Sequence, residues 1–195
     1  MYRLLTIAIA GALLSGCAAM RNLSSEVSSY GQWPADRKPG SYAFERLPSQ
    51  QSQPEQQQRL EDAARAAIEA AGFTPAADAQ SADVSIQLGA RITQNARSPF
   101  DDPFWWGGGI HYARPWRPYW RTGIGLHYST PSYGREVALL VRDRKSGQPL
   151  YEARATNDGA SPSINSLLSA MYEAAMKDFP NGGINPRTVT VELRN

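Results

Sequence analysis

The stretch Ala82-Asp83-Val84-Ser85-Ile86-Gln87-Leu88-Gly89-Ala90-Arg91-Ile92-Thr93 decides the fold class. Val84, Ile86, Leu88, Ala90 and Ile92 fall on one side of an extended chain, while Asp83, Ser85, Gln87, Arg91 and Thr93 fall on the other. Alternation with period two marks a strand with one face against a core and the other in water. A lone strand leaves its backbone groups unpaired, so partners have to be found. Glu136 to Asp143 carries Val137, Leu139 and Val141 in the same alternation, and Leu150 to Thr156 carries Tyr151, Ala153 and Ala155. Between these two runs, Arg144-Lys145-Ser146-Gly147-Gln148-Pro149 supplies turn residues, which predicts a β-hairpin.

Upstream, Ser41 to Leu47 reads as a strand with Tyr42 and Phe44 on one face. A helix opens at Ser52-Gln53-Pro54-Glu55, a capping-box pattern with proline in the first turn. Leu60, Ala64, Ala67, Ile68 and Ala71 form its apolar stripe, and Gly72-Phe73 closes it with a left-handed cap and an apolar residue folding back. Downstream, Ser161-Pro162 caps a second helix whose core side is Ile164, Leu167, Leu168, Met171, Ala175 and Phe179. Pro180 and Asn181-Gly182-Gly183 stop it. A last strand from Arg187 to Arg194 alternates Val189, Val191 and Leu193. The layout predicts one α+β domain over 41–195: a single, mostly antiparallel sheet, two helices packed on one face, and a long aromatic, glycine- and proline-rich insertion between the middle strands.

The first residues carry a different kind of information. Arg3 gives a short positive region, Leu4 to Leu14 is apolar apart from Thr6 and Gly11, and Leu14-Ser15-Gly16-Cys17 follows. The apolar run is shorter than the roughly 20 residues a spanning helix needs. It fits a secretory signal peptide over 1–16 with small residues before the cut. Leu-Ser-Gly-Cys looks like the lipobox of bacterial lipoproteins, in which the thiol takes a diacylglycerol group and the new amino terminus is acylated. Several acyl chains make the attachment stable, since one alone binds reversibly. Ala18, in place of aspartate, points by likeness to enterobacterial sorting signals to the inner leaflet of the outer membrane, facing the periplasm. Residues 17–40 then read as a lipid-anchored N-terminal segment, part of it tether, with Leu23 and Val27 on one side of a weak strand. Cys17 is the sole cysteine, so no disulfide is available to the domain. Over the 195 residues the net charge is +2 and 42% are hydrophobic, which argues against both disorder and a strongly basic nucleic-acid binder.

Residues 98–135 break the alternating pattern. Ten aromatics lie there, including four of the five tryptophans, together with Gly107-Gly108-Gly109, five prolines, four arginines and both histidines. A loop longer than about 15 residues in a compact domain is usually functional or disordered. Three readings fit. The rings can pack on the second face of the sheet, or they can form a recognition surface, since Trp, Tyr and Arg are enriched at interface hot spots and rings beside arginines also suit sugars or lipid headgroups. They can also stack nucleic-acid bases, although an exported, tethered chain seldom meets them. On the recognition reading, Trp105, Trp106, Trp116 and Trp120 are the anchors, and Arg114, Arg117 and Arg121 orient polar or anionic groups.

Several segments together resemble the bacterial lipoprotein family catalogued as domain of unknown function 4136. They are Tyr42-Ala43-Phe44 after a proline-rich lead, Ala71-Gly72-Phe73, and Ala82-Asp83-Val84-Ser85-Ile86. They continue with Gly134 to Asp143, the turn Ser146-Gly147, and Met176-Lys177-Asp178-Phe179-Pro180. The resemblance covers roughly residues 22 to 182. It implies an envelope lipoprotein with this α+β layout and supplies no catalytic residues.

Catalytic patterns are scarce in the chain itself. There is no His-Glu-x-x-His and no Gly-x-Ser-x-Gly, and Gly107-Gly108-Gly109 lacks the Lys-Ser/Thr of a phosphate loop. His111 and His127 have no third ligand at a recognised spacing, and Asp101-Asp102 before Pro103 reads as solvated turn residues. The expectation is a non-enzymatic envelope lipoprotein, needing no cofactor or metal, that acts as an adaptor or binding module. Its partners would be the membrane through Cys17 and an envelope protein. The alternative is a glycan- or cell-wall-binding structural lipoprotein, and a metal- or histidine-dependent enzyme stands third.

Overall fold

A computed structural model of the chain describes residues 22–95 and 132–193. The expectations placed on the signal peptide 1–16, on Cys17 and on the aromatic stretch up to Pro131 fall outside the described residues. The described elements are β1 (Asn22–Gly31), β2 (Ser41–Phe44), α1 (Pro48–Gln51), α2 (Pro54–Ala70), β3 (Thr74–Pro75), β4 (Val84–Asn95), β5 (Ser132–Asp143), β6 (Pro149–Gly159), α3 (Leu168–Ala175) and β7 (Arg187–Glu192).

The architecture is α+β, built on one sheet in the order β3-β2-β4-β5-β6-β1-β7. The expectation of a mostly antiparallel sheet needs correcting: the sheet is mixed. β4, β5, β6, β1 and β7 pair antiparallel in sequence, but β2 runs parallel to both β3 and β4. The cause is α2. A helix between neighbouring strands carries the chain back to the starting end of the sheet, and the next strand then runs in the same direction.

The alternation read in the sequence becomes the inner face. Val84, Ile86, Leu88, Val137, Leu139, Val141, Ala153 and Ala155 are all buried. α2 contributes Leu60, Ala64, Ala67 and Ile68 to the same core, with Ala71 partly buried beside them. It ends as expected: Gly72 takes φ +96°, and Phe73 folds back to 1% exposure. At its other end the helix begins at Pro54, with Gln53 as its cap and no side-chain capping bond, so the capping box expected at Ser52 does not form. Arg46 secures this end of the helix by gripping the buried Glu61 carboxylate at 2.6 and 2.7 Å. The turn after β5 also forms as read, with Gly147 at φ +71° and the Asp143 carboxylate accepting from the Lys145 and Ser146 amides at 3.0 and 2.8 Å.

Three boundaries move. The helix expected from Ser161 begins at Leu168, because the Ser161 hydroxyl accepts from the Ser163 amide at 3.1 Å and closes a turn of its own. Ile164 is nonetheless buried in the core. The insertion stops short of Gly134 and Arg135. Ser132 to Arg135 already pair with β4, and Tyr133 to Arg135 also pair with β6, so β5 starts four residues before Glu136. Most consequentially, residues 22–31, read within a tether, form a strand inside the sheet. β1 sits between β6 and β7, and Leu23 and Val27 are in the core. The sequence signal is faint because β1 buries serines as well: Ser25 and Ser29 are each 1% exposed.

α2 and α3 pack against each other, α2 against β4, and α3 against β1, β5, β6 and β7. The Tyr172 hydroxyl ties this layer to the sheet by donating to Gly89 O at 3.1 Å.

An internal β1 has a measurable consequence. Leu23→Ala will lower stability by about 2–5 kcal/mol in urea unfolding, as for other buried leucines. A residue in a solvated tether would change it by no more than about 0.5 kcal/mol.

Candidate functional site

Two features of the described residues could engage another molecule. The first is a groove of about 930 Å³ running between α2, α3 and the loop after β1. Its volume lies within the range of about 300–1,000 Å³ typical of ligand sites. Alanines shape it. Ala66, Ala67 and Ala70 on α2 face Ala170 on α3, and small side chains keep both helix surfaces low.

Trp33 forms one wall of the groove. It meets Phe73 and Phe179 edge-on at 5.6 and 4.9 Å between ring centres, and its indole N–H donates to Arg37 O at 2.7 Å. Behind Phe179 lies Tyr151, whose hydroxyl donates to Ala175 O at 3.1 Å. Burial pushes the Tyr151 phenol up to about 12, so at neutral pH it remains a donor.

Charge surrounds the wall. The Arg37 guanidinium lies over the Trp33 ring at 5.4 Å and bonds Asp143 at 2.6 Å. The Asp143 carboxyl is held far below the usual carboxylate range, first by the Ser146 backbone amide and then by Arg37 and the Ser146 hydroxyl. One ion pair thus joins the loop after β1 to the turn between β5 and β6. On the far side, Ser29 and Arg187 both bond the Asp178 carboxylate. Burial alone would raise that carboxyl, but these two partners hold it below its ordinary value.

Such a groove can bind an apolar chain or ring with polar groups at the rim. Its hydroxyls, Ser166 and Ser169, have no described imidazole or thiol beside them, since His111, His127 and Cys17 lie outside the described residues. Among the described residues no cluster of three metal-ligating side chains occurs.

The second feature is one end of the sheet. The twelve-residue ladder of β4 with β5 closes at Asn95↔Ser132, so the two ends of the 96–131 segment are held side by side. Gly159 pairs with Tyr133 at the same end. β1 is antiparallel to β6, so its first residue, Asn22, lies there too, opposite Glu192 of β7. The chain arriving from Cys17, both ends of the aromatic segment and the close of β7 therefore meet at one edge. The anchors chosen from sequence, Trp105, Trp106, Trp116, Trp120, Arg114, Arg117 and Arg121, lie outside the described residues. Trp33 was missed among the candidates because it stands alone. The turn-forming Pro34-Ala35-Asp36 that follows it was the available signal.

The profile of the family described as "Domain of unknown function (DUF4136)" matches residues 26–181. No curated protein matches the sequence. Among solved structures, a PDZ domain protein from Parabacteroides distasonis is similar at 14% identity and a TM-score of 0.51, over 91% of this chain and 42% of that one. This chain thus spans less than half of that protein, and the likeness is one of fold. A PelC dodecamer from Paraburkholderia phytofirmans is 14% identical over 78% of this chain and 94% of that one, with a TM-score of 0.39. A DUF4136 family protein from Bacteroides thetaiotaomicron is 19% identical over 80% of this chain and 96% of that one, at 0.30.

The Arg37–Asp143 link makes a prediction about pH. A carboxyl whose folded pKa is depressed stabilises the protein above its unfolded value, about 3.9, and loses that contribution as pH falls toward the folded value. Asp143→Asn will therefore be less stable than the unaltered chain at neutral pH. In urea titrations the gap will narrow as pH is lowered from about 5 to about 2.

Proposed function

The chain belongs to the DUF4136 family, and on that footing we propose that it is a non-catalytic, lipid-anchored lipoprotein of the bacterial cell envelope that holds a partner protein next to the membrane. The anchor is Cys17 of Leu14-Ser15-Gly16-Cys17. The contact surface is the aromatic insertion, with Trp105, Trp106, Trp116 and Trp120 as anchors and Arg114, Arg117 and Arg121 as orienting charges.

The observation that carries this reading is the convergence at one end of the sheet. β1 begins at Asn22, five residues after Cys17. An extended chain covers at most about 3.6 Å per residue, so this sheet end stays within roughly 18 Å of the anchored cysteine. The insertion leaves and returns at that same end, at Asn95 and Ser132. Both roots of the insertion are therefore near the anchor, and rings and arginines suit a lipid surface, where tryptophan and tyrosine are favoured at headgroup depth and arginine meets phosphate. A partner gripped there would itself sit at the membrane.

The same rings and arginines would also suit a glycan, so a cell-wall-binding lipoprotein is the second reading. Sedimentation with purified peptidoglycan separates the two, because a protein adaptor stays in the supernatant.

Two experiments test the proposal. Cys17→Ser will give a soluble or uncleaved species without lipid label, and a normally labelled, membrane-bound product from that variant would overturn the anchor. A crosslinked pull-down from detergent-solubilised membranes will recover a stoichiometric protein with the unaltered chain. That protein will be lost when Trp105, Trp106, Trp116 and Trp120 are all changed to Ala in a variant shown to fold. Recovery of the same protein by the variant would remove the insertion from the interface.

A further inference from the structure

Arg135 is the anomaly of the described core. It lies on the inner face of β5 in the row of Val137, Leu139 and Val141, and it is 7% exposed. Among the described residues Arg37, Arg46, Arg65, Arg91, Arg154 and Arg187 each pair with a carboxylate; Arg59, Arg135, Arg142 and Arg144 do not, and of these four only Arg135 is buried. Among the described residues the Nε of Arg135 is buried with no hydrogen-bond partner. A buried charge without a counter-charge is costly, and natural proteins seldom keep one without use.

The surroundings are shaped for this side chain. A Cβ on Gly159 would collide with the Arg135 guanidinium, so the glycine provides the room in which it lies. Asn157 is the register partner of Arg135 on β6, and its amide donates to Ser24 O at 2.9 Å, which places β1 next in the row. There Ser25 is 1% exposed, and its hydroxyl is the other buried polar atom without a partner among the described residues. On the opposite side, Ile92 pairs with Arg135. Ile92 lines a cleft of about 200 Å³ together with Leu60, Ile164, Gln56, Arg59 and Asn165. The two orphaned buried donors thus share one row at the end of the sheet, and the cleft, with Arg59 in its wall, opens on the β4 side of that row, next to Ile92.

We infer that this sheet end is an oxyanion site, in which Arg135 receives a phosphate or carboxylate group and the neighbouring cleft takes the apolar part that carries it. A guanidinium holds an oxyanion through a fork of two parallel N–H groups, and an oxyanion entering at the Arg135 Nη beside Gly159 would give the buried Nε–H its missing partner. Arg59 adds long-range attraction from the cleft wall. The inference is independent of the adaptor reading, because it uses no residue of the aromatic segment.

Thermal unfolding of the full chain in detergent tests it, at constant ionic strength set with sodium chloride. Sodium phosphate replacing chloride will raise Tm by about 3 °C or more at saturation. Arg135→Gln will abolish the rise while leaving Tm in chloride unchanged or higher, because it removes an uncompensated buried charge. Gly159→Ala will also abolish the rise, by displacing the guanidinium with the arginine retained. Micelles doped with phosphatidylglycerol distinguish the sources: a rise there but not with free phosphate assigns the oxyanion to a lipid headgroup. Three results would overturn the inference. They are no rise in any arm, an equal rise in Arg135→Gln, or a Tm in chloride lowered by several degrees in Arg135→Gln, which would make Arg135 an internal strut.

Discussion

The register of β4 against β5 is the constraint on which the rest of the molecule depends. Twelve pairs, from Val84↔Asp143 to Asn95↔Ser132, run without a break. Side chains alternate strictly across a strand, so a slip of one residue would turn Glu136, Leu140 and Arg142 inward and expose Val137, Leu139 and Val141. The hairpin turn holds this register from one end. Asp143 accepts from the backbone of Lys145 and Ser146 while its second oxygen takes Arg37. One carboxylate therefore sets the turn, fixes the inner face of the two longest strands and fastens the loop that carries Trp33.

The same ladder determines which chain segments share a sheet end. It brings both ends of the aromatic segment to one edge, and the antiparallel placement of β1 beside β6 brings the amino-terminal approach to that edge as well. Opposite ends of the sheet thus have different work. The turn end is closed by ion pairs and a cluster of four rings, Trp33, Phe73, Phe179 and Tyr151. The open end has Ile92 at 45% exposure and, among the described residues, two buried polar atoms without partners, Ser25 Oγ and Arg135 Nε.

Polar groups inside the fold show how a small core tolerates them. Ser29 donates to Asp178 and accepts from Gly183, while its backbone exchanges bonds with the Asn185 side chain at 2.8 and 2.7 Å. Glu61 is likewise satisfied by Arg46. In each case the donors and acceptors are matched, so burial costs little. Ser25 and Arg135 depart from that rule, and the contrast gives them their interest.

By itself the sequence determined the elements whose signal is local. The alternation of Val84-x-Ile86-x-Leu88, the Leu60 to Ile68 stripe, the Gly72-Phe73 cap and the Ser146-Gly147 turn each report on neighbours a few residues away, and each stands in the structure as read. The likeness to the DUF4136 family was legible for the same reason, being carried by those short segments. Tertiary structure alone decided the rest. β1 buries Ser25 and Ser29 beside Leu23 and Val27, so its composition resembles a tether until Asp178 and Asn185, some 150 residues away in the chain, supply partners for Ser29. The parallel placement of β2 follows from the path of α2, which no residue of β2 encodes. That Arg135 is buried without a carboxylate among the described residues, and that Asn22 shares a sheet end with both ends of the aromatic segment, depend on strand order. Strand order is set by pairings between distant residues, and a linear reading has no term for them.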